Sequence, residues 1–278
     1  MSPPRRRREV GSRTPVLAVV VGILGLIIFF VLPLAGLLWR APWSDVGSVL
    51  GDHAARQALR LSLVCSLSAT ALSMVFGLPI AWLLARTQFR GRAIVRSLAV
   101  LPLVLPPVVG GVALFYAFGR RGLVGQWLEQ AFGLKLPFTV WAAILAETFV
   151  AMPFFVITVE GALRSIDVRY EDAAATYGAS RWTVMRRVTL PMIGPSILAG
   201  MALTWARALG EFGATITFAG NFPGRTQTLP LAIYLAFEND DPAGVVLSLV
   251  LVAISVIVLA LVGSRVFAQR GRVPALTS

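Results

Sequence analysis

Chemically reactive side chains are scarce in this sequence. Cys65 is the only cysteine and His53 the only histidine, which excludes an intrachain disulfide, a thiolate metal cluster and a histidine-based metal site. The only lysine, Lys135, is followed by Leu136, whereas a P-loop requires Gly-x-x-x-x-Gly-Lys-Ser/Thr. We therefore expect no catalytic residue, no metal and no cofactor bound by this chain.

Charge is also scarce. Charged residues make up 14% of the 278 residues and hydrophobic residues 57%, with a mean hydropathy of +0.79; a soluble domain has about 25% charged residues. Several apolar runs reach the ~20 residues that cross a bilayer. The sequence thus predicts an all-α integral membrane protein with six transmembrane helices, at 16–38, 58–85, 94–118, 139–163, 193–219 and 243–267.

The domain organisation follows from these runs. We expect a basic N-terminal tail over residues 1–15, a transmembrane domain over 16–267 and a short tail over 268–278. The first run is too long for the core of a signal peptide, so it is expected to remain as a helix. Prolines and glycines at Pro106, Pro107 and Pro153 and nearby positions predict kinked membrane helices.

The net charge of +12 would suit nucleic-acid binding, but its distribution does not. Basic residues lie in short clusters between apolar runs, which is the pattern that sets membrane topology. With the N-terminus inside, 17 of the 25 basic residues fall in inside segments and 7 in outside segments. The sequence therefore predicts a multi-pass protein of the bacterial plasma (inner) membrane with both termini in the cytoplasm and no nucleic-acid partner.

The longest inside loop, 164–192, has the punctuation of two short helices. Asp167 can cap a helix start, and Glu171 and Asp172 fall near the first turn, where the helix dipole favours anions. Gly178 can end that helix in a left-handed conformation. A second helix is predicted from Ser180 to about residue 188, stopping at Pro191.

This loop resembles the EAA loop of ABC-importer permeases, which reads Glu-Ala-Ala, three residues, Gly, nine residues, Ile-x-Leu-Pro. The matching residues are Asp172, Ala173, Ala174, Gly178, Val188, Leu190 and Pro191, with Glu171 preceding them. Asp replaces Glu and Val replaces Ile. The resemblance implies the fold of a type I importer permease, in which this loop is a cytoplasmic coupling helix that docks on a separate ATPase subunit. ATP and Mg²⁺ would bind to that subunit.

Ionisable residues also occur inside the fifth apolar run. Arg207 and Glu211 are four residues apart, and we expect them to share one helix face. Such residues usually face a bundle interior or an aqueous cavity. Two readings stay open: the pair lines a translocation pathway together with donors such as Thr215, or it is a salt bridge that fixes helix packing. Gly210 and Gly213 are expected to allow close helix approach.

A turn-rich exterior loop follows, containing Asn221, Arg225, Thr226 and Gln227. Together with ARALGEFGAT (206–215) and GRRGLVGQWLE (119–129), it is similar to the molybdate branch of the molybdate/sulfate/tungstate permeases. The resemblance implies uptake of molybdate by alternating access. The implied partners are a second copy of the chain, two ABC ATPase subunits and an extracytoplasmic oxyanion-binding protein.

Other functions remain as alternatives. The sulfate branch shares the Gly-Glu-Phe-Gly core, so a sulfate, thiosulfate or tungstate permease is the nearest rival. A secondary transporter would favour inverted repeats, and no repeat is visible. An intramembrane enzyme would need a nucleophile–base or metal constellation, for which the sequence has no candidates.

Overall fold

The computed structural model describes residues 16–270, and its regular structure is helical throughout that range. Two π-helical turns, Ile27–Val31 and Met185–Thr189, interrupt otherwise α-helical segments. In chain order the α-helices are α1 (Val16–Leu26), α2 (Leu32–Trp39), α3 (Val46–Gly51), α4 (His53–Arg86), α5 (Arg92–Val104), α6 (Pro107–Phe118), α7 (Gly125–Phe132), α8 (Val140–Ser165), α9 (Arg169–Thr176), α10 (Arg181–Val184), α11 (Leu190–Leu209), α12 (Gly213–Phe218), α13 (Leu229–Glu238) and α14 (Ala243–Arg270). The predicted tail 1–15 lies outside the described residues, as does the end of the tail predicted for 268–278.

The chain divides into two units, Met1–Trp43 and Ser44–Ser278. The first unit, described from Val16 onwards, is one apolar rod made of α1, a π turn and α2. Its span Leu17–Trp39 has a mean hydropathy of 3.0 and contains no buried residue. A helix that is apolar on every face is suited to a bilayer, and this rod coincides with the first predicted span.

The second unit is built around α4 and α8, which pack closely because small residues line both helices. Ala58, Cys65 and Ala69 on α4 are buried, as are Ala142, Ala143 and Ala146 on α8. Small side chains let membrane helices approach, so that backbone atoms can make van der Waals contact. Side chains cap both helices: Asp52 accepts the amide of Ala55 at 3.1 Å, and Thr139 accepts that of Ala142 at 3.3 Å.

The third predicted span, 94–118, is broken in the middle. Helix α5 ends at Val104 and α6 begins at Pro107, with Leu105 extended at φ −69° and ψ 133°. Residues before proline avoid the helical region, and Pro106 and Pro107 supply no N–H to continue the ladder. The predicted kink is thus a full interruption of the helix.

The fifth predicted span, 193–219, is interrupted between Leu209 and Gly213. The resulting short helix α12 packs on α6, and glycine makes this contact possible. A Cβ on Gly111 would lie 2.8 Å from the Ala214 carbonyl oxygen, and one on Gly213 would lie 2.9 Å from Cβ of Pro107. Gly213 therefore permits close approach, as expected. For Gly210 no such contact is seen within the described part of this chain, where a Cβ would meet only the Ala206 carbonyl oxygen of its own helix at 3.7 Å, so that expectation stays a prediction.

Within residues 16–270, four helical segments are long and apolar enough to cross a membrane: Leu17–Trp39, His53–Arg86, Val140–Ser165 and Arg181–Leu209. Shorter apolar helices are Pro107–Phe118, Leu229–Glu238 and Ala243–Val258, the last being part of α14. The all-helical fold is therefore confirmed, while the count of six spans stays a prediction.

Candidate functional site

In loop 164–192 a short helix, α9, meets the start of a second helix at Gly178, as predicted. Gly178 has φ +80°, a left-handed conformation that glycine adopts without steric cost. The Gly178 amide donates a hydrogen bond to the Ala175 carbonyl at 2.9 Å, and the Ala179 amide donates one to the Ala174 carbonyl at 3.2 Å. This bond pair is the Schellman arrangement, which satisfies the last carbonyls of α9.

Side chains also order the two helix starts. The Asp167 carboxylate accepts the backbone N–H of Arg169 at 3.0 Å, and the Ser180 hydroxyl accepts that of Thr183 at 3.2 Å. Both bonds satisfy amides that have no partner inside a first helical turn. The sequence signals for both starts are therefore confirmed.

The predicted stop at Pro191 is wrong, because the helix continues from Arg181 to Leu209. A π-helical turn at Met185–Thr189 precedes the proline, and the Leu190 amide bonds to the Met185 carbonyl five residues back. Proline disrupts an α-helix by lacking an N–H and by clashing with the carbonyl four residues earlier. The wider π turn comes directly before Pro191 and redirects the carbonyls there, so the chain stays helical.

Glu171 attaches α9 to the transmembrane helices. Its carboxylate accepts a hydrogen bond from the Arg86 guanidinium at 2.7 Å and another from the Thr189 hydroxyl at 2.9 Å. Arg86 ends α4, and Thr189 lies in the π turn that leads into α11. The Arg86 and Glu171 side chains are 15% and 16% exposed, so the ion pair is largely shielded from water.

The remaining residues of the EAA-like pattern divide by exposure. Asp172, Ala173, Gly178 and Pro191 are exposed. Ala174, Val188 and Leu190 are half-buried, and Leu190 packs on the apolar cluster around Ile193. The pattern thus contains one face available to a partner and one face that holds the loop in place.

Sequence reasoning missed three exposed aromatic residues on this loop. Tyr170 is 59% exposed, Tyr177 93% and Trp182 65%. They lie on α9, beside Gly178 and on α10. Aromatic side chains are enriched at protein interfaces, and their proximity to the EAA-like residues was the signal that could have identified them.

Arg207 and Glu211 form an ion pair of 2.6 Å, but they do not share one helix face. Helix α11 ends at Leu209, so Glu211 lies in the break before α12. There its carboxylate also accepts the Ala214 amide at 2.7 Å, and it is 1% exposed. Thr215 is fully buried. Of the three predicted pathway residues, only Arg207, whose side chain is 28% exposed, is partly accessible in this chain.

A second buried carboxylate, Glu147 on α8, was also missed. It is 1% exposed, its Oε2 has no hydrogen-bond partner among the described residues, and it lies within electrostatic range of Glu211. An uncompensated charge is very costly inside a protein that is itself within a bilayer.

The predicted exterior loop has a buried inner side. Thr226 and Gln227 are buried, and they bond to the Phe222 amide at 3.2 Å and to the Asn221 side-chain oxygen at 3.0 Å. Arg225 is exposed. Thr226 and Gln227 therefore shape the loop, and Arg225 is the predicted residue that points to solvent.

In segment 119–129, Arg120 makes a two-pronged ion pair with Glu129, with N–O distances of 2.7–3.1 Å. Hydrogen bonds from Arg120 hold the pKa of Glu129 below its ordinary value. Lys135 lies 3.6 Å from the same carboxylate. These groups tie α7 to the turn that precedes it.

Comparison with known proteins places this geometry in context. The family model for "Binding-protein-dependent transport system inner membrane component" matches residues 74–273. The molybdenum transport system permease protein ModB of Mycobacterium bovis is 46% identical over 239 residues, covering 86% of this chain and 90% of that protein. ModB of Escherichia coli is 42% identical, covering 78% and 94%. The sulfate transport system permease protein CysT of Escherichia coli is 34% identical, covering 87% and 89%.

Solved structures show the same fold at low sequence identity. A bacterial ABC transporter for import of the acidic polysaccharide alginate has a TM-score of 0.68 at 19% identity, covering 93% of this chain and 95% of that one. The alginate transporter in complex with an alginate pentasaccharide-bound periplasmic protein has a TM-score of 0.66 at 19% identity, covering 89% and 90%. An inward-facing methionine transporter, MetNI, has a TM-score of 0.58 at 21% identity, covering 76% and 94%.

Proposed function

Since this chain belongs to the family of binding-protein-dependent transport system inner membrane components, we propose that it imports molybdate as the permease subunit of an ABC transporter. Identities of 42–46% to two molybdenum permeases, against 34% to a sulfate permease, support this cargo over sulfate. The proposed assembly contains a second copy of this chain, two ABC ATPase subunits that bind ATP and Mg²⁺, and an extracytoplasmic oxyanion-binding protein.

The observation that carries the proposal is the geometry of loop 164–192. A rigid two-helix projection presents Asp172, Tyr170, Tyr177 and Trp182 to solvent. Its opposite side is attached to α4 and to the π turn through Glu171. An exposed aromatic face with a rigid attachment suits a docking element that must transmit force. In the proposed orientation, with both termini in the cytoplasm, this face meets the ATPase subunit.

Transport is proposed to occur by alternating access. Closure of the ATPase dimer would move the coupling loops of the two copies together, and the Arg86–Glu171 contact would pass that movement to α4. The breaks between α5 and α6 and between α11 and α12 supply points where such helices can pivot. A ligand shifts this equilibrium only by its differential affinity for the two states.

A conducting pathway for an oxyanion needs hydrogen-bond donors that bind weakly enough to release it. Arg207 is a candidate donor because its side chain remains 28% exposed while paired with Glu211. The Glu211 carboxylate offsets the positive charge of Arg207, and an anion would therefore bind there more weakly. The buried Thr215 would reach the anion only if the outward-facing state exposes it.

Uptake of labelled molybdate tests this proposal. Cells that lack their own transporter would express the chain with its cognate ATPase and binding protein, with excess sulfate as competitor. A matched control would carry an ATPase subunit that cannot hydrolyse ATP. Uptake that requires hydrolysis and resists sulfate is expected. Uptake abolished by sulfate would support the sulfate reading, and no uptake by an intact complex would refute oxyanion import.

A further inference from the structure

Three arginines surround an open cavity where α5 begins and α8 ends. The cavity, of about 350 Å³, is lined by Arg92, Ala93, Arg96 and Arg164 and is called here the Arg pocket. Arg96 and Arg164 both bind one carboxylate, that of Glu160. Arg92 does not contact that carboxylate; it donates to the Leu84 carbonyl, which also accepts a hydrogen bond from Arg164 at 3.0 Å. Three guanidinium groups against one carboxylate leave the pocket with a net charge of about +2.

The guanidinium groups retain donors for a further ligand. The Arg96 and Arg164 side chains are 43% and 41% exposed despite their shared partner. Glu160, at 10% exposure, is almost covered by them. Planar guanidinium groups match the geometry of phosphate oxygens and bind them through paired hydrogen bonds. The Arg pocket therefore suits a phosphate-type anion.

Two apolar hollows continue from the Arg pocket along α5. The first, of about 300 Å³, shares Ala93 with the pocket; the second, of about 430 Å³, shares Arg96 with it. The two hollows share Ser97 and Leu101, so they form one surface, called here the α5 groove. Val104, near its far end, is 80% exposed.

The dimensions of the α5 groove match one lipid leaflet. Helix α5 has 13 residues and is therefore about 20 Å long. Half of the ~30 Å hydrocarbon thickness is about 15 Å, the depth that one acyl chain occupies. A phosphate bound at the Arg pocket would leave its acyl chain beside the exposed apolar side chains of α5.

We propose that the Arg pocket and the α5 groove together bind one anionic phospholipid, with its phosphodiester at the arginines and an acyl chain along α5. The continuity of a cationic pocket with an apolar groove favours a lipid over a free oxyanion, which would use only the pocket. Basic pockets at the ends of transmembrane helices are sites where anionic headgroups bind. This inference is independent of the transported cargo.

Lipid binding by the purified complex of permease and ATPase tests the proposal. Phosphatidylglycerol would be titrated into the detergent-solubilised complex, and bound lipid would be counted by native mass spectrometry, with phosphatidylcholine as the neutral probe. Arg92→Gln is the main variant, because Arg92 is not in the Glu160 ion pairs and its loss leaves no carboxylate unpaired. Arg90→Gln is the matched control, since Arg90 is exposed and does not line the pocket.

One tightly bound phosphatidylglycerol per permease is expected in the wild type and in Arg90→Gln. Arg92→Gln should weaken its binding about fivefold, and Arg92→Lys, which keeps the charge but not the paired donors, should restore it in part. Ser97→Trp, which fills the α5 groove without changing charge, should weaken phosphatidylglycerol binding as well. Together these results would support a site that uses both the charge and the groove.

Other results would overturn the proposal. Equal phosphatidylglycerol binding by Arg92→Gln and Arg90→Gln would show that the lipid responds to the general surface charge and not to a specific site at the Arg pocket. Displacement of phosphatidylglycerol by molybdate, with no effect of Ser97→Trp, would make the pocket a free-oxyanion site. A disulfide between two copies carrying Val104→Cys and Cys65→Ser would show that a second copy covers the groove.

Discussion

Loss of the Glu171 carboxylate should detach helix α9 from the transmembrane helices. In the structure this group accepts hydrogen bonds from Arg86 at 2.7 Å and Thr189 at 2.9 Å. Hydrogen bonds to charged groups contribute about 1.5–3 kcal/mol each. Because Glu171→Gln keeps a neutral acceptor for both donors, we expect a loss of about 1.5 kcal/mol in the local stability of α9, at the low end of that range.

Limited proteolysis measures this loss directly. A local change of about 1.4 kcal/mol raises the population of the open loop roughly tenfold. When opening and closing are fast, cleavage follows that population. Trypsin should therefore cut between Arg169 and Arg187 about ten times faster in Glu171→Gln than in the wild type, as read by mass spectrometry of the fragments. The assay uses the purified permease without its ATPase, so docking does not contribute.

Asp172→Asn is the matched control, because it removes the same charge from the neighbouring, exposed position. Its cleavage rate should stay within about twofold of the wild type, as expected for surface substitutions. The double variant Arg86→Gln with Glu171→Gln should be cleaved no faster than the more susceptible of the two single variants. Each single substitution already breaks the same Arg86–Glu171 ion pair, so their effects should not add. Equal rates for Glu171→Gln and Asp172→Asn would refute the anchoring role of Glu171.

Three further predictions concern buried and strained positions. Gly178→Pro should uncouple ATP hydrolysis from uptake while leaving membrane insertion intact, because it replaces the left-handed residue at φ +80°; Gly178→Asn should retain most uptake. Gly111→Val should destabilise the fold by about 1–3 kcal/mol, because the larger side chain overpacks against α12, and the melting temperature in detergent should fall. Gly194→Ala, with open space at its Cβ, should leave the melting temperature unchanged. Glu147→Gln should leave complex yield equal or higher, since Oε2 of Glu147 has no hydrogen-bond partner among the described residues that the substitution would remove.

Specific outcomes would contradict each of these. Normal coupling in Gly178→Pro would remove the glycine turn from the mechanism. Equal melting temperatures for Gly111→Val and Gly194→Ala would mean that α6 and α12 separate easily. Loss of the complex in Glu147→Gln, measured by membrane yield, would show that the carboxyl group makes an essential contact.

Short-range features of the site were accessible to sequence analysis. The left-handed turn at Gly178 and the starts of both loop helices depend on a few neighbouring residues, and the structure confirms them. The stop at Pro191 failed for an equally local reason. A π turn at Met185–Thr189, which ends two residues before the proline, realigns the hydrogen bonds, and no single-residue preference signals such a turn.

Long-range contacts were not accessible in this way. Glu171 and Arg86 are 85 residues apart, and the break that separates Glu211 from α11 depends on how α12 packs against α6. Glu147 is a single acidic residue in an apolar run, and no sequence pattern marks it as part of the site. Only its burial, at 1% exposure, distinguishes it.

The sequence by itself determined that this chain is a helical membrane protein of the permease family, because apolar runs, charge clusters and the EAA-like spacing are all readable along one dimension. The tertiary structure alone decided which residue anchors loop 164–192, which of its aromatic side chains remain exposed and which arginines meet at the Arg pocket. Pairings of this kind depend on distances between helices that are far apart in the chain, and hydropathy carries no information about those distances.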